Sequence, residues 1–125
     1  MFTGIITNLG KLIKKENSLF TFRTDKALCE KVEQGTSIAV NGVCLTIFEK
    51  TKDTFSIEIM PETAKKTMLG NVQKNYVVNL ELPVTPQTFL SGHIVQGHVD
   101  GIGTLVDIKQ QKNSRLLTVK IPLEL

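Results

Sequence analysis

The feature that most constrains this chain is that it begins to repeat itself. Residues 4–15, GIITNLGKLIKK, align with residues 97–108, GHVDGIGTLVDI, at an offset of 93. Gly4, Gly10 and Leu12 fall on Gly97, Gly103 and Leu105, while Ile6, Leu9 and Ile13 fall on Val99, Ile102 and Val106. After a loop longer by about four residues the match resumes, LFTFRTDKAL (19–28) against LLTVKIPLEL (116–125). There Leu19, Thr21 and Leu28 meet Leu116, Thr118 and Leu125. Self-similarity through two successive segments marks a repeated unit rather than the chance likeness of two strands. One copy is complete within residues 1–90; residues 91–125 hold a linker and the opening strands of a second. A lone strand pair is marginal in water. The expectation is therefore that the natural polypeptide continues past Leu125 with the rest of a second copy.

Within the unit, alternation with period 2 dominates. Leu19, Thr21 and Arg23 alternate with Phe20 and Phe22; Phe55, Ile57 and Ile59 oppose Ser56 and Glu58; residues 76–82 repeat the pattern. Asn41-Gly42 joins TSIAV (36–40) to VCLTIFE (43–49) and supplies the positive φ angles of a two-residue hairpin turn. Only two short helices are expected. One follows Asp25 through Lys26–Val32; the other, Pro61–Leu69, has proline at its start and Gly70 past its end. Six strands with little helix predict a small closed barrel or a sandwich, the barrel being favoured because closure removes edges that invite pairing.

Several function classes recede on composition. The net charge of +3 is spread along the chain, and the pairs Lys14-Lys15 and Lys65-Lys66 sit among acids and apolar residues. Nucleic-acid binding needs a clustered basic face. No membrane is expected as a partner either: apolar runs fall far short of the ~20 residues a span requires. Residues 1–10 lack the basic start of a secretory signal. Two cysteines without a disulfide framework suit a reducing compartment, the cytoplasm by default.

The only two histidines, His93 and His98, are five positions apart. On a strand they face opposite ways, and on a helix they are about 500° apart. They make a poor chelating pair, and no metal is expected. Cys44 and Thr46 share one strand face, with Val43, Leu45 and Ile47 on the other. A thiol and a hydroxyl side by side can bond the edge of a ring, and a thiolate can act as nucleophile or base. Equally, such a cysteine can be a small hydrophobe; Cys29 reads that way. Glu62 and Thr63 either bind ligand hydroxyls or cap the helix. Thr67, four residues beyond Thr63, is expected on the same helix face.

MFTGII (1–6), SIAVNGVCLT (37–46), MPETAKKTMLG (60–70) and SGHIVQGHVDG (91–101) together resemble the riboflavin synthase family, in order and across the whole chain. The resemblance implies an all-β fold: a six-stranded Greek-key barrel over 1–90 that binds lumazine, with the start of a second lumazine-binding barrel in 91–125. It implies a homotrimer with the active site between subunits, each barrel taking one molecule of 6,7-dimethyl-8-ribityllumazine. A four-carbon unit passes from one such molecule to another, giving riboflavin and a ribitylaminopyrimidinedione without metal or cofactor.

Carried onto this sequence, the family's substrate-contacting positions are Gly4, Ile5 and Ile6; Ser37; Cys44, Leu45 and Thr46; Glu58, Ile59, Met60, Pro61, Glu62 and Thr63; Thr67; and Gly97, His98 and Val99. Cys44 and His98 are the expected catalytic participants. His98 follows Gly97, the repeat mate of Gly4, and an imidazole there can shuttle a proton near neutral pH. His93 is the lesser candidate. A non-catalytic lumazine or flavin carrier of the same fold is the alternative, against which Cys44, Thr46, Glu62 and His98 speak.

Overall fold

A computed structural model describes residues 1–123. Eight strands and two α-helices follow one another as β1 (Asn8–Glu16), β2 (Leu19–Arg23), α1 (Lys26–Lys31), β3 (Ser37–Val40), β4 (Val43–Lys50), β5 (Thr54–Glu58), α2 (Pro61–Lys66), β6 (Val77–Glu81), β7 (Thr104–Gln111) and β8 (Ser114–Lys120). A 3-10 turn, Met68–Asn71, follows α2. The first six strands close a barrel in the order β1-β2-β5-β4-β3-β6, every neighbouring pair antiparallel. Strands β3, β4 and β5 run as consecutive hairpins and β6 returns beside β3, which is the Greek-key connection. The expected barrel is present.

Alternation explains the core. Leu12, Phe20, Phe22, Ile38, Val40, Leu45, Ile47, Phe55, Ile57, Val78 and Leu80 point inward and are buried. Phe22 and Phe55 stack there with ring centroids 5.6 Å apart. Asn41 (φ 48°) and Gly42 (φ 81°) make the tight β3–β4 turn that the dipeptide predicts. The Asn41 side chain then accepts a hydrogen bond from the Asn79 amide at 2.7 Å, fastening the turn to β6.

Two local expectations change. Ser56, placed by alternation on the outer face of β5, is only 2% exposed. Its hydroxyl is satisfied by Thr21 Oγ1 at 3.0 Å and Glu49 Oε1 at 3.2 Å, from the strands on either side. The second helix stops at Lys66, not Leu69, because Thr67 is extended (φ −137°, ψ 164°). Thr67 is therefore not on a helix face shared with Thr63. Its hydroxyl donates to the Thr63 carbonyl at 2.7 Å and accepts from the Leu69 amide at 3.3 Å, ending one helix and starting the next turn.

Strands β7 and β8 form a separate two-stranded sheet. Its ladder reproduces that of β1–β2: Leu12↔Phe22 and Lys14↔Thr21 become Leu105↔Val119 and Asp107↔Thr118, with an irregularity after the first pair of each. Gly4 and Gly97 both have φ near 80°, at +80° and +81°. The extra loop residues between the two halves extend the hairpin by the pairs Gln110↔Arg115 and Gln111↔Ser114. The match of Leu28 with Leu125 lies outside the described residues.

Candidate functional site

The segment between the barrel and β7 is a strap laid back over the barrel. Phe2 and Val95 exchange backbone hydrogen bonds of 2.7 and 3.0 Å, and the His93 amide donates to the Thr3 carbonyl at 2.9 Å. The start of the chain is itself anchored by Glu81 on β6. Its buried carboxylate accepts from the amide of Thr3, from the Thr3 hydroxyl at 2.7 Å and from the Gly4 amide at 3.1 Å. Beyond Val95 the strap reaches β4, where the Cys44 amide donates to the Gly97 carbonyl at 2.9 Å. Only glycine fits there. A Cβ on Gly97 would stand 2.9 Å from both the Cys44 Cβ and its amide nitrogen, at a positive φ besides.

This contact closes one end of a cleft of about 650 Å³. β4 contributes Val43 and Cys44, α2 and its flanks contribute Met60, Pro61, Glu62, Thr63, Lys66 and Thr67, and the strap contributes Gly97, His98 and Val99. Cys44 is half-buried with its thiol free, and Val43 turns inward beside it. Glu62 Oε1 and Lys66 Nζ pair at 2.9 Å one turn apart on α2. That hydrogen bond holds the Glu62 carboxyl below its ordinary range and the Lys66 ammonium above its own. No side chain caps α2, so the first amides of that helix have no partner within it. The cleft thus offers apolar walls from Val43, Met60 and Val99, with a thiol, an imidazole, a hydroxyl and an ion pair among them. Apolar walls with a few placed polar groups are the make-up of a small-molecule site.

Cys44, Met60, Pro61, Glu62, Thr63, Thr67, Gly97, His98 and Val99 all come together here. Other expected positions lie elsewhere. Thr46 and Glu58 line a shallow depression that adjoins the cleft across Met60. Ser37 pairs with Thr46 in the β3–β4 ladder and is half-buried. Leu45 and Ile59 are core residues. Gly4 and Ile6 are exposed, and Ile5 borders a different hollow of about 300 Å³ beside Glu81 and Asp25. Val43 and Lys66 are the lining residues that sequence reading missed; alternation had set Val43 on the face opposite Cys44, and for Lys66 the spacing of four from Glu62 was the available signal. Cys29 is buried, and burial pushes its thiol up in pKa, as a structural cysteine requires.

A closed Greek-key barrel with a ligand cleft between β4, a short helix and a returning strap defines a small-molecule-binding barrel. The family model for the lumazine binding domain matches residues 3–83, and the chain belongs to that family. It is 40% identical to the riboflavin synthase of Actinobacillus pleuropneumoniae, covering 96% of this chain and 57% of that protein. Against the riboflavin synthase of Bacillus subtilis (strain 168) it is also 40% identical, covering 97% and 58%. Among these relatives the chain spans somewhat over half the full length. Of solved structures, LumP complexed with 6,7-dimethyl-8-(1'-D-ribityl) lumazine superposes with a TM-score of 0.77 at 25% identity, over 99% of this chain and 71% of that one. LumP complexed with riboflavin gives 0.77 at 26%, over 100% and 70%, and LumP complexed with flavin mononucleotide gives 0.73 at 26%, over 100% and 68%. Among the described residues, no helix is long and apolar enough to cross a membrane.

Proposed function

We propose that this chain is the lumazine-binding part of a riboflavin synthase. Its barrel holds one molecule of 6,7-dimethyl-8-ribityllumazine in the cleft between β4, α2 and the strap. The observation that carries the reading is the convergence of three separated motifs, Cys44, Glu62-Thr63 and Gly97–Val99, on that one cleft. The heterocycle lies against Val43, Met60 and Val99, and its ribityl chain against α2. His98 and Cys44 stand beside the ring, where loss of a proton from the 7-methyl group and addition of a nucleophile to a second molecule must occur. Holding two such molecules in register supplies much of the acceleration.

Residues 1–90 are the complete barrel in this reading, and residues 91–125 open a second one. The shared bulge, ladder and glycine of β1–β2 and β7–β8 support that division. The second substrate is met at a neighbouring subunit of a cytoplasmic homotrimer. A carrier of the same fold is the second reading, favoured by the likeness to LumP.

Titration of the chain with the lumazine, followed by ligand fluorescence, is expected to saturate, and Cys44→Ser and His98→Gln to weaken it. In the protein that contains this chain, riboflavin formation identifies the synthase, and a fluorescence change without riboflavin identifies the carrier. Turnover and affinity unchanged in His98→Gln would remove that residue from the mechanism.

A further inference from the structure

The ion pair on α2 has a role beyond closing a helical turn. Among the residues lining the cleft, Lys66 is the only ammonium and Glu62 the only carboxylate. Each is the other's partner, at 2.9 Å. The remaining polar capacity is distributed unevenly. Thr67's hydroxyl is spent on the Thr63 carbonyl and the Leu69 amide, and the Gly97 carbonyl is spent on Cys44. In the ligand placement proposed above, the flat ring and the hydroxylated chain take different sides of the cleft. The ring lies toward Val43 and Val99, and the chain lies along α2, ending near Glu62 and Lys66.

What stands at the end of that chain then matters. A terminal hydroxyl can accept from an ammonium or donate to a carboxylate, so it joins the pair without adding charge. A terminal phosphate carries about −1.5 to −2 at neutral pH. To reach Lys66 it has to share the ammonium with Glu62, which brings like charges within a few ångströms. The strap adds Asp100, whose charge also acts on Lys66, and Lys65, the other ammonium that acts on Glu62, does not line the cleft. Side-chain exposures of 43% for Lys66 and 76% for Glu62 mean that water and salt temper the conflict, giving a preference rather than an exclusion.

We propose that the Glu62–Lys66 pair selects the end group of the ligand's tail, admitting a ribityl chain that ends in a hydroxyl and disfavouring one that ends in a phosphate. This rests on the reading of the cleft as a lumazine site and names its specificity.

The test is a polarisation titration of the 125-residue chain with riboflavin and with flavin mononucleotide, which differ only in the terminal phosphate. Riboflavin is expected to bind more tightly, with the ratio of the two affinities moving toward one as salt is added. Glu62→Gln frees Lys66 and is expected to shift that ratio toward the mononucleotide by up to about fivefold, the scale of one exposed charge pair. Lys66→Met removes the cation paired with Glu62 and is expected to shift it the other way. Both side chains are exposed, and the ratio within each variant cancels any general loss of binding. If both flavins bind and neither substitution moves the ratio, the selectivity proposal is overturned while the lumazine site stands. If neither the flavins nor the lumazine bind the unmodified chain, the site itself is refuted and the selectivity goes with it.

Discussion

The hairpins β1–β2 and β7–β8 are nearly the same piece of backbone in opposite circumstances. Both turn through two residues, the first with positive φ (Asn17 at 51°, Lys112 at 46°), and both slip register at the same repeat position. Yet Leu12, Phe20 and Phe22 are at most 3% exposed, whereas their counterparts Leu105, Leu117 and Val119 are 51%, 57% and 52% exposed. The turn, the bulge and the pairing are thus written locally. Burial is not: in the first hairpin it comes from β5 and β6, which arrive from later in the chain. Only the surroundings turn an apolar strand face into a core.

That contrast is most severely tested by equivalent truncations. Phe22→Ala removes a ring stacked on Phe55 and is expected to cost about 3–5 kcal/mol in denaturant unfolding followed by circular dichroism. Val119→Ala, at the matching position of the open hairpin, is expected to stay within about 0.5 kcal/mol. Similar costs at the two sites would mean that β7–β8 is covered in solution.

A smaller difference separates the two glycines. Gly4→Ala carries only the penalty of a positive φ, about 1 kcal/mol, since a Cβ there meets nothing nearer than Val95 at 3.8 Å. Gly97→Ala adds the collision with Cys44 and is expected to lose about 1–3 kcal/mol more. Equal losses in thermal unfolding would show that the strap yields freely.

The mildest probe is the helix cap. Asp25 Oδ1 accepts from the Leu28 amide at 2.8 Å, while its repeat counterpart, Pro122, offers no side-chain oxygen. Asp25→Ala is expected to cost about 1 kcal/mol at neutral pH. The Leu28 amide, above all, lowers the folded carboxyl below 3.8. A depressed folded pKa stabilises the fold above the unfolded value, and that stability is lost as pH falls through the folded one. The gap between parent and variant should therefore close in acid, below pH 3.8. A gap independent of pH would assign the loss to helix propensity instead.

Sequence made some of this legible because the signals were local. Asn41-Gly42 demanded its turn, Asp25 its cap, and the repeat announced that Gly97 would share the conformation of Gly4. Long-range closure was not readable in that way. Ser56 sits on the outward side of an alternating strand, and nothing in its neighbours along the chain says that Thr21 and Glu49 will cover it. Lys66 read as a solvated lysine until α2 was laid beside the strap. Thr46 and Cys44 share a strand face, yet Met60 divides the surface between them into two hollows. Alternation assigns a side of the sheet but not which depression on that side a residue borders.

The strap is attached to the barrel through amides and carbonyls at residues 93, 95 and 97, and Gly97 alone among these demands a particular side chain, namely none. The side chains of His98 and Val99, which border the cleft, take no part in that fastening. Natural variation, or a directed library, can rewrite one lip of the ligand cavity at those two positions while the strap's place over the barrel stays put.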